Sequence, residues 1–257
     1  ELRPGGEPAG RTAFQAVQGG SETHPTGFRR VAHLRTFPLP GGDRAAREPR
    51  RSALGLLFEV IGDAAAESAA GWFSAEALRG LMRLLDRPRP APRTSSMARL
   101  FDAVAALCGL PPVVTFEGQS AMALEFAADE ACEESYPFVL SDAPAATVAD
   151  WEPALRAILA DRAARVPVSR ISARFHNGLA DLACAVARRW GGRDVVLSGG
   201  CFQNALLSHR VGQRLRTAGF QVYTHRQVPP NDGGIALGQA VVAAQMLQTP
   251  PQRPSTE

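Results

Sequence analysis

Bulky and polar residues alternate in FRRVAHLRTFPLPGGD, residues 28–43, and the run stops at Pro-Gly-Gly, which predicts a strand followed by a turn. The period then changes. Leu54, Leu57, Phe58 and Ile61 recur at three- and four-residue spacing behind Glu48 and Pro49, which suit the first turn of a helix. A second helix is expected over 74–85 with Ser74 as its N-cap, ending before the proline-rich segment 87–93, which cannot hold a helix. Residues 95–110 carry Leu100, Val104 and Leu107 on one face and Gly109 as a stop signal, the pattern of a strong helix.

Further along, residues 112–116 read as a short strand leading through Glu117 and Gly118 into a helix over 120–132. Residues 136–140 read as a strand, followed by a polar bend and a helix over 152–164. The remainder reads as helix 169–190, strand 194–198, helix 206–218, strand 220–225 and a closing helix 235–247. Strands alternating with helices predict an α/β layer with short strand-to-helix turns at which ligands collect. Residues 1–27, rich in Gly, Pro, Thr and Glu, are expected to be a loose lead-in and 248–257 a tail, so the folded unit is placed at 28–247. No internal repeat stands out.

Composition narrows the function classes. The 257 residues include 28 basic ones, every one an arginine, and the formal net charge is +3. Without lysine there is no phosphate-loop lysine and no Schiff-base nucleophile. The arginines are spread out and aromatics are sparse at 7%, so no nucleic-acid partner is expected. Cys108, Cys132, Cys184 and Cys201 are widely spaced with no CxxC pair, as in a reduced cytoplasmic protein. No stretch approaches the roughly 20 apolar residues of a membrane span, so no membrane partner is expected. Beginning on Glu1, the chain reads as a fragment or a processed product.

Three glycine-containing turns carry the candidate chemistry. In VVLSGGCFQN, residues 195–204, an apolar strand ends at Ser198, Gly199 and Gly200 just before a helix, which leaves backbone N–H groups for a phosphate; an ordinary turn with a positive-φ glycine fits equally well. In VPPNDGGIALGQ, residues 228–239, Asp232 precedes Gly233 and a small-residue helix, where a carboxylate either ligates a cation or caps the helix. In FEGQSAMALE, residues 116–125, Glu117 can accept hydrogen bonds from vicinal hydroxyls or stand as a solvated loop charge beside Gly118. Three such turns in one α/β chain can converge on a single nucleotide or phosphate pocket.

The order and wording of FPLPGGD (37–43), REP (47–49), TSSMARLFDAVAALCGL (94–110), FEGQSAMALE, RFHNGLA (174–180), LSGGCFQN and PPNDGGIALGQ resemble the last domain of the HypF family, which matures [NiFe] hydrogenases. The chain is similar, more distantly, to TsaD-type proteins and antibiotic O-carbamoyltransferases. The resemblance implies an α/β, actin-like and sugar-kinase-like (ASKHA) fold, represented mainly by its C-terminal lobe, with the first lobe largely missing. It implies that Asp102 serves around the nucleotide and Glu117 and Gly118 near the ribose. Ser198, Gly199, Gly200 and Asn204 would hold adenosine and phosphate, and Asp232, with Gly233 beside it, would help bind a divalent metal, iron or zinc. His176 and Asn177 lie in a motif to which the resemblance assigns no task.

The implied reaction transfers a carbamoyl group from carbamoyl-adenylate, made with ATP from carbamoyl phosphate, to the C-terminal cysteine of a HypE-like partner. No nucleophile is required of this chain, so Cys201 is read as packing. The family pattern also carries an HxxxH pair and a DGTG-like turn upstream of FPLPGG, and neither is present here. Nor are the acylphosphatase-like, zinc-finger and YrdC-like domains, and Met97 stands where a small residue is expected before Arg99. The alternative is a truncated, catalytically silent remnant that binds nucleotide or a partner.

Overall fold

The computed structural model describes residues 12–13, 29–87 and 91–248. The lead-in expected over 1–27 lies outside them except for Thr12–Ala13, which forms a strand, β1. The tail beyond 248, Phe28, and residues 88–90 of the proline-rich segment also lie outside. The elements that follow are β2 (Ala32–Leu34), β3 (Phe37–Pro38), α1 (Pro49–Ile61), α2 (Ala65–Ser68), α3 (Ala75–Leu85), β4 (Arg93–Thr94), α4 (Met97–Leu107) and α5 (Gln119–Ala127). Then come β5 (Val139–Ser141), β6 (Thr147–Asp150), α6 (Glu152–Ala163), α7 (Val168–Trp190), β7 (Asp194–Leu197), α8 (Ala205–Thr217), β8 (Gln221–Thr224) and α9 (Ile235–Gln248).

Most of these elements follow from local chemistry. Ser74 caps α3 by accepting the Ala77 N–H at 3.2 Å, and Ser96 caps α4 by accepting that of Arg99 at 3.4 Å. Pro49 occupies the first turn of α1, where its missing N–H costs nothing. Gly109 ends α4 as expected: its N–H reaches the Ala106 carbonyl, and that of Leu110 reaches Ala105, both at 3.0 Å.

Several expectations fail. The single strand expected from Phe28 is two short ones. Residues 112–116 form no strand; Pro111 and Pro112 remove two donors, and the Thr115 N–H goes to the Gln119 side chain at 2.8 Å instead of to a neighbouring strand. The helix begun at Gln119 ends at Ala127, not Cys132, and Asp129 makes a local turn by accepting the Ala131 N–H at 3.1 Å. The bend before α6 contains a strand, β6, whose register is set by its neighbours β2 and β5. The strand expected at 136–140 starts only at Val139. Within the lead-in, the described Thr12–Ala13 pair in parallel with β7 through Thr12 and Val195.

Two small sheets flank a helical core. One is the parallel β1-β7-β8, the other the mixed β2-β6-β5, and β3 and β4 form a separate antiparallel pair. Trp151, Phe37, Phe101 and Phe175 are fully buried, with Phe37 edge-on to Trp151 and Phe101 edge-on to Phe175. On β7, Val195 and Leu197 face this core, while Val196 points the other way and lies 48% exposed beside Tyr223 of β8. Exposed apolar residues also run along α9, namely Ile235, Leu237, Val241 and Met246.

Gly178 admits the chain segment at Tyr136 against α7: a Cβ added there would stand 2.4 Å from the Tyr136 carbonyl oxygen. Gly178→Ala should therefore lower stability by about 2 kcal/mol through overpacking. Gly80→Ala, in an open position of α3 with nothing within 4 Å, should raise it by about 0.5–1 kcal/mol. Urea midpoints check both, and an unchanged midpoint for Gly178→Ala would contradict the close approach.

Candidate functional site

The parallel sheet delivers two turns to one place. After β7 the chain passes Ser198 and Gly199 and enters a 3₁₀ turn at Gly200–Gln203. Gly199 has φ 100°, a conformation that L side chains rarely adopt, and its N–H donates to the Pro230 carbonyl at 2.7 Å. Ser198 Oγ lies 2.9 Å from His225 Nε2, just beyond β8. The turn after β7 is thus bonded to both ends of the turn that precedes α9.

In that second turn Asn231, not Asp232, is the cap: its Oδ1 accepts the Gly233 N–H at 3.1 Å. The Asp232 carboxylate makes no hydrogen bond or ion pair with the described residues, and it lines a cavity of about 200 Å³. Ser198, Gly199, Gly200 and Cys201 line the same cavity. Its other walls come from His33 on β2, Ser95 and Met97 at the start of α4, and Leu179 and Ala183 on α7. The capping alternative for Asp232 is thereby answered by its neighbour.

The remaining expected residues do not line this cavity. Asp102 is buried on α4 in an ion pair with Arg99 at 2.9 Å. Burial pushes its carboxyl up to about 6, against the pull of Arg99 and the Ser120 hydroxyl, with Glu117 adding to the rise. Glu117 is exposed, and Gly118 opens α5 with φ 85°. Gly233 donates its N–H to Asn231 and does not line the cavity. The three turns thus do not meet as a trio; those at Gly199 and Asp232 share the cavity and that at Gly118 stands apart from its lining.

Asn204, only 6% exposed, is spoken for by the protein itself. Its Oδ1 caps α8 by accepting the Leu207 N–H at 2.7 Å, and its Nδ2 donates to His176 Nε2 at 3.0 Å. The two N–H groups before Leu207, on Ala205 and Leu206, donate to Glu125 Oε1 at 2.6 and 3.2 Å. A carboxylate from α5 therefore sits where an anionic ligand would seek the positive end of α8. Sequence reading missed this, because Glu125 meets that helix 80 residues away.

The RFHNGLA motif is also explained. His176 is 0% exposed and packs edge-on to Phe101 at 5.4 Å. Its Nδ1 lies 2.8 Å from the Ser172 carbonyl, which can only accept, so Nδ1 carries the proton and Nε2 is the acceptor. Burial pushes this imidazole down to about 4, so it is neutral near pH 7. Asn177 donates to the carbonyls of Cys132 and Glu134 at 2.9 and 2.8 Å, while its Oδ1 accepts from Arg210 and Arg214 at 2.7 and 3.1 Å.

Among the described residues, Cys201 offers no thiolate and no closed metal site is found. Burial pushes the Cys201 thiol up to about 11, which keeps it protonated near neutral pH and suits packing. Among the described residues no group of three His, Cys, Asp or Glu side chains could hold a metal ion, so the donors at hand do not fit the iron or zinc implied by the resemblance.

Comparison with known proteins settles the family. Residues 22–239 match the model described as carbamoyltransferase, Kae1-like domain, second subdomain. The chain belongs to that family. It is 37% identical over 237 residues to the carbamoyltransferase HypF of Synechocystis sp., covering 86% of this chain and 31% of that protein. The HypF of Rhodobacter capsulatus is 40% identical, with 87% and 29% covered. A HypF homolog of Cupriavidus necator is 37% identical, with 86% and 58% covered. The chain therefore spans about a third of the length of the first two relatives.

The crystal structure of full-length HypF in its phosphate- and nucleotide-bound form superposes with a TM-score of 0.77 at 40% identity, over 86% of this chain and 29% of that one. The HypF structure from T. kodakarensis shares the fold, with a TM-score of 0.70 at 24% identity over 85% and 30%. The mixed α/β architecture is the actin-like, sugar-kinase-like one expected.

The buried titratable groups give opposite acid responses. His176 stays neutral in the fold but charges in the unfolded chain below about 6.5, so its contribution is whole above that pH and is lost as the pH falls toward 4, by roughly 3 kcal/mol. Asp102, held near 6 against an ordinary 3.8, disfavours the fold when charged, a penalty relieved as pH falls through the same window. His176→Gln, which cannot titrate, should lose less urea-measured stability than the wild type between pH 6.5 and 4. Equal losses would show that the imidazole is not held neutral.

Proposed function

We propose that this chain is the nucleotide-binding part of a HypF-type carbamoyltransferase acting in hydrogenase maturation. Its cavity holds the adenylate part of a carbamoyl-adenylate, and the acceptor is the C-terminal cysteine of a HypE-like partner. The partner's thiolate sulfur attacks the carbamoyl carbon, the bond from that carbon to the phosphate oxygen breaks, and AMP leaves with the electron pair. The side chains around the cavity bind and orient; none described here is needed as a nucleophile.

One observation carries this reading: Ser198, Gly199 and Gly200 line one cavity with Asp232 from a later turn, and Asp232 has no side-chain partner among the described residues. The glycines let a phosphate come close to the backbone, Ser198 offers a hydroxyl, and Asp232 is the carboxylate suited to a cation. The relative solved with phosphate and nucleotide supports the same ligand class. Of the other residues that the family resemblance implies, Asn204 serves through α8, while Asp102, Glu117 and Gly118 are proposed for the nucleotide's outer edge. The open apolar surface of α9 suits a neighbouring first subdomain, in line with the family model's description as a second one.

A second reading, a remnant that binds nucleotide without turnover, is favoured for the chain by itself because the described residues provide no cluster of three metal donors. Asp232→Ala in the active enzyme should reduce carbamoyl transfer on the order of a hundredfold or more. Because the Asp232 carboxylate makes no bond with the described residues, the urea midpoint should not move. Transfer at the wild-type rate would refute the role of Asp232. Titration of the 257-residue chain with ADP should show saturable heat, and its absence would sink the nucleotide reading.

A further inference from the structure

We infer that His176 is a positioning residue of the ligand site, acting through Asn204 to hold the entrance of α8 and thereby the turn at residues 198–204 that lines the cavity. The ligand side of this inference rests on the nucleotide reading above. His176 itself touches neither the cavity nor solvent.

The argument starts from the asymmetry of an asparagine amide. Its oxygen only accepts and its nitrogen only donates, so the side chain has one correct orientation wherever both ends are bonded. At Asn204 the oxygen faces the Leu207 N–H and the nitrogen faces His176 Nε2. Turning the amide over would set oxygen against a ring lone pair and NH₂ against an N–H, two repulsive contacts in a buried place.

The ring cannot adapt to such a flip, since its Nδ1 proton is committed to the Ser172 carbonyl. The Ser172 hydroxyl is likewise committed, donating to the Leu124 carbonyl at 2.5 Å. Orientation is therefore passed from the α7 backbone to the imidazole, then to Asn204, and then to the first turn of α8. Asn204 is also the last residue of the turn: its own N–H reaches the Cys201 carbonyl at 3.3 Å, and that of Phe202 reaches Gly199 at 3.0 Å. Whatever sets Asn204 sets where Gly199, Gly200 and Cys201 stand at the cavity wall.

Glu125 completes the clamp. With Glu125 and Asn204 satisfying the N–H groups of Ala205, Leu206 and Leu207, the start of α8 is filled by protein. A ligand phosphate must then be met by the turn ahead of the helix, and its affinity depends on how firmly that turn is held. A leucine at 176 would pack in an apolar helix interface at no desolvation cost; the buried imidazole is explained by the hydrogen bond it accepts.

The test compares four variants of the 257-residue chain by ADP calorimetry and amide hydrogen exchange. His176→Leu should weaken ADP about tenfold or more and speed exchange selectively over residues 198–207. His176→Gln, whose amide oxygen can still accept from Asn204, should recover most of both. Asn204→Asp keeps the cap acceptor but loses the donor, and should behave like His176→Leu at the turn. Phe37→Leu, a core change against Trp151, should lower stability while leaving ADP affinity and turn exchange alone. Equal effects of Phe37→Leu and His176→Leu, or none from the latter, would overturn the inference. If the wild type does not bind ADP, the nucleotide reading falls and exchange alone decides: acceleration confined to the turn supports positioning, and uniform acceleration refutes it. Should His176→Leu fail to fold, His176→Gln and Asn204→Asp carry the same decision.

Discussion

Adjacent side chains on α7, His176 and Asn177, hold α8 by polar bonds made inside the core, and the placement of the cavity follows from them. His176 fixes the N-cap of α8, Asn204, while Asn177 reaches Arg210 and Arg214 further along the helix. The same Asn177 secures the loop at Cys132 and Glu134. Buried polar groups of this kind are stabilising only when every member is satisfied, and here both ends of each amide are bonded. Hydrophobic packing brings the helices together, but it allows them to slide and roll; the directional bonds leave one register. Because α8 begins where the turn after β7 ends, that register decides where Gly199 and Gly200 come to rest.

The cavity shows how tasks are divided between neighbouring residues. Asn231 caps the turn before α9 and leaves the Asp232 carboxylate unbonded among the described residues. Asn204 and Glu125 close the start of α8 and leave the glycines ahead of it as the wall. In each case a neighbour satisfies the backbone so that another group can face a ligand. A site built this way keeps its shape before the ligand arrives, which limits the ordering cost of binding.

Arginine, the sole basic side chain with a permanent charge here, ties several elements together through ion pairs. Arg35 at the end of β2 pairs with Asp150 and Glu152 at 3.3 and 2.6 Å, and Arg174 of α7 pairs with Asp161 of α6 at 2.5 Å and with Glu134. Such half-exposed pairs contribute little individually, but the planar guanidinium fixes geometry between the elements it joins. The apolar residues left exposed on α9 and on the outer face of β7 and β8 have no counterpart in this scheme. They mark the side of the molecule where the family's other subdomain is proposed to lie.

Much of the fold could be read along the chain. Helix starts at Ser74 and Ser96, the stop at Gly109, and the alternation from α7 to α9 depend on side chains within a turn or two of one another. The motif order also identified the family, and the glycine turns at Gly199 and Asp232 marked the cavity. What the sequence could not determine was everything set by partners far away. β6 exists because β2 and β5 bracket it, residues 112–116 lose their strand to prolines and a glutamine cap, and Glu125 reaches a helix end 80 positions on. The tasks of His176 and Asn204 belong to this class. A hydrogen bond between buried groups is decided by where packing puts them, and periodicity along one element says nothing about which donor will face which acceptor on another.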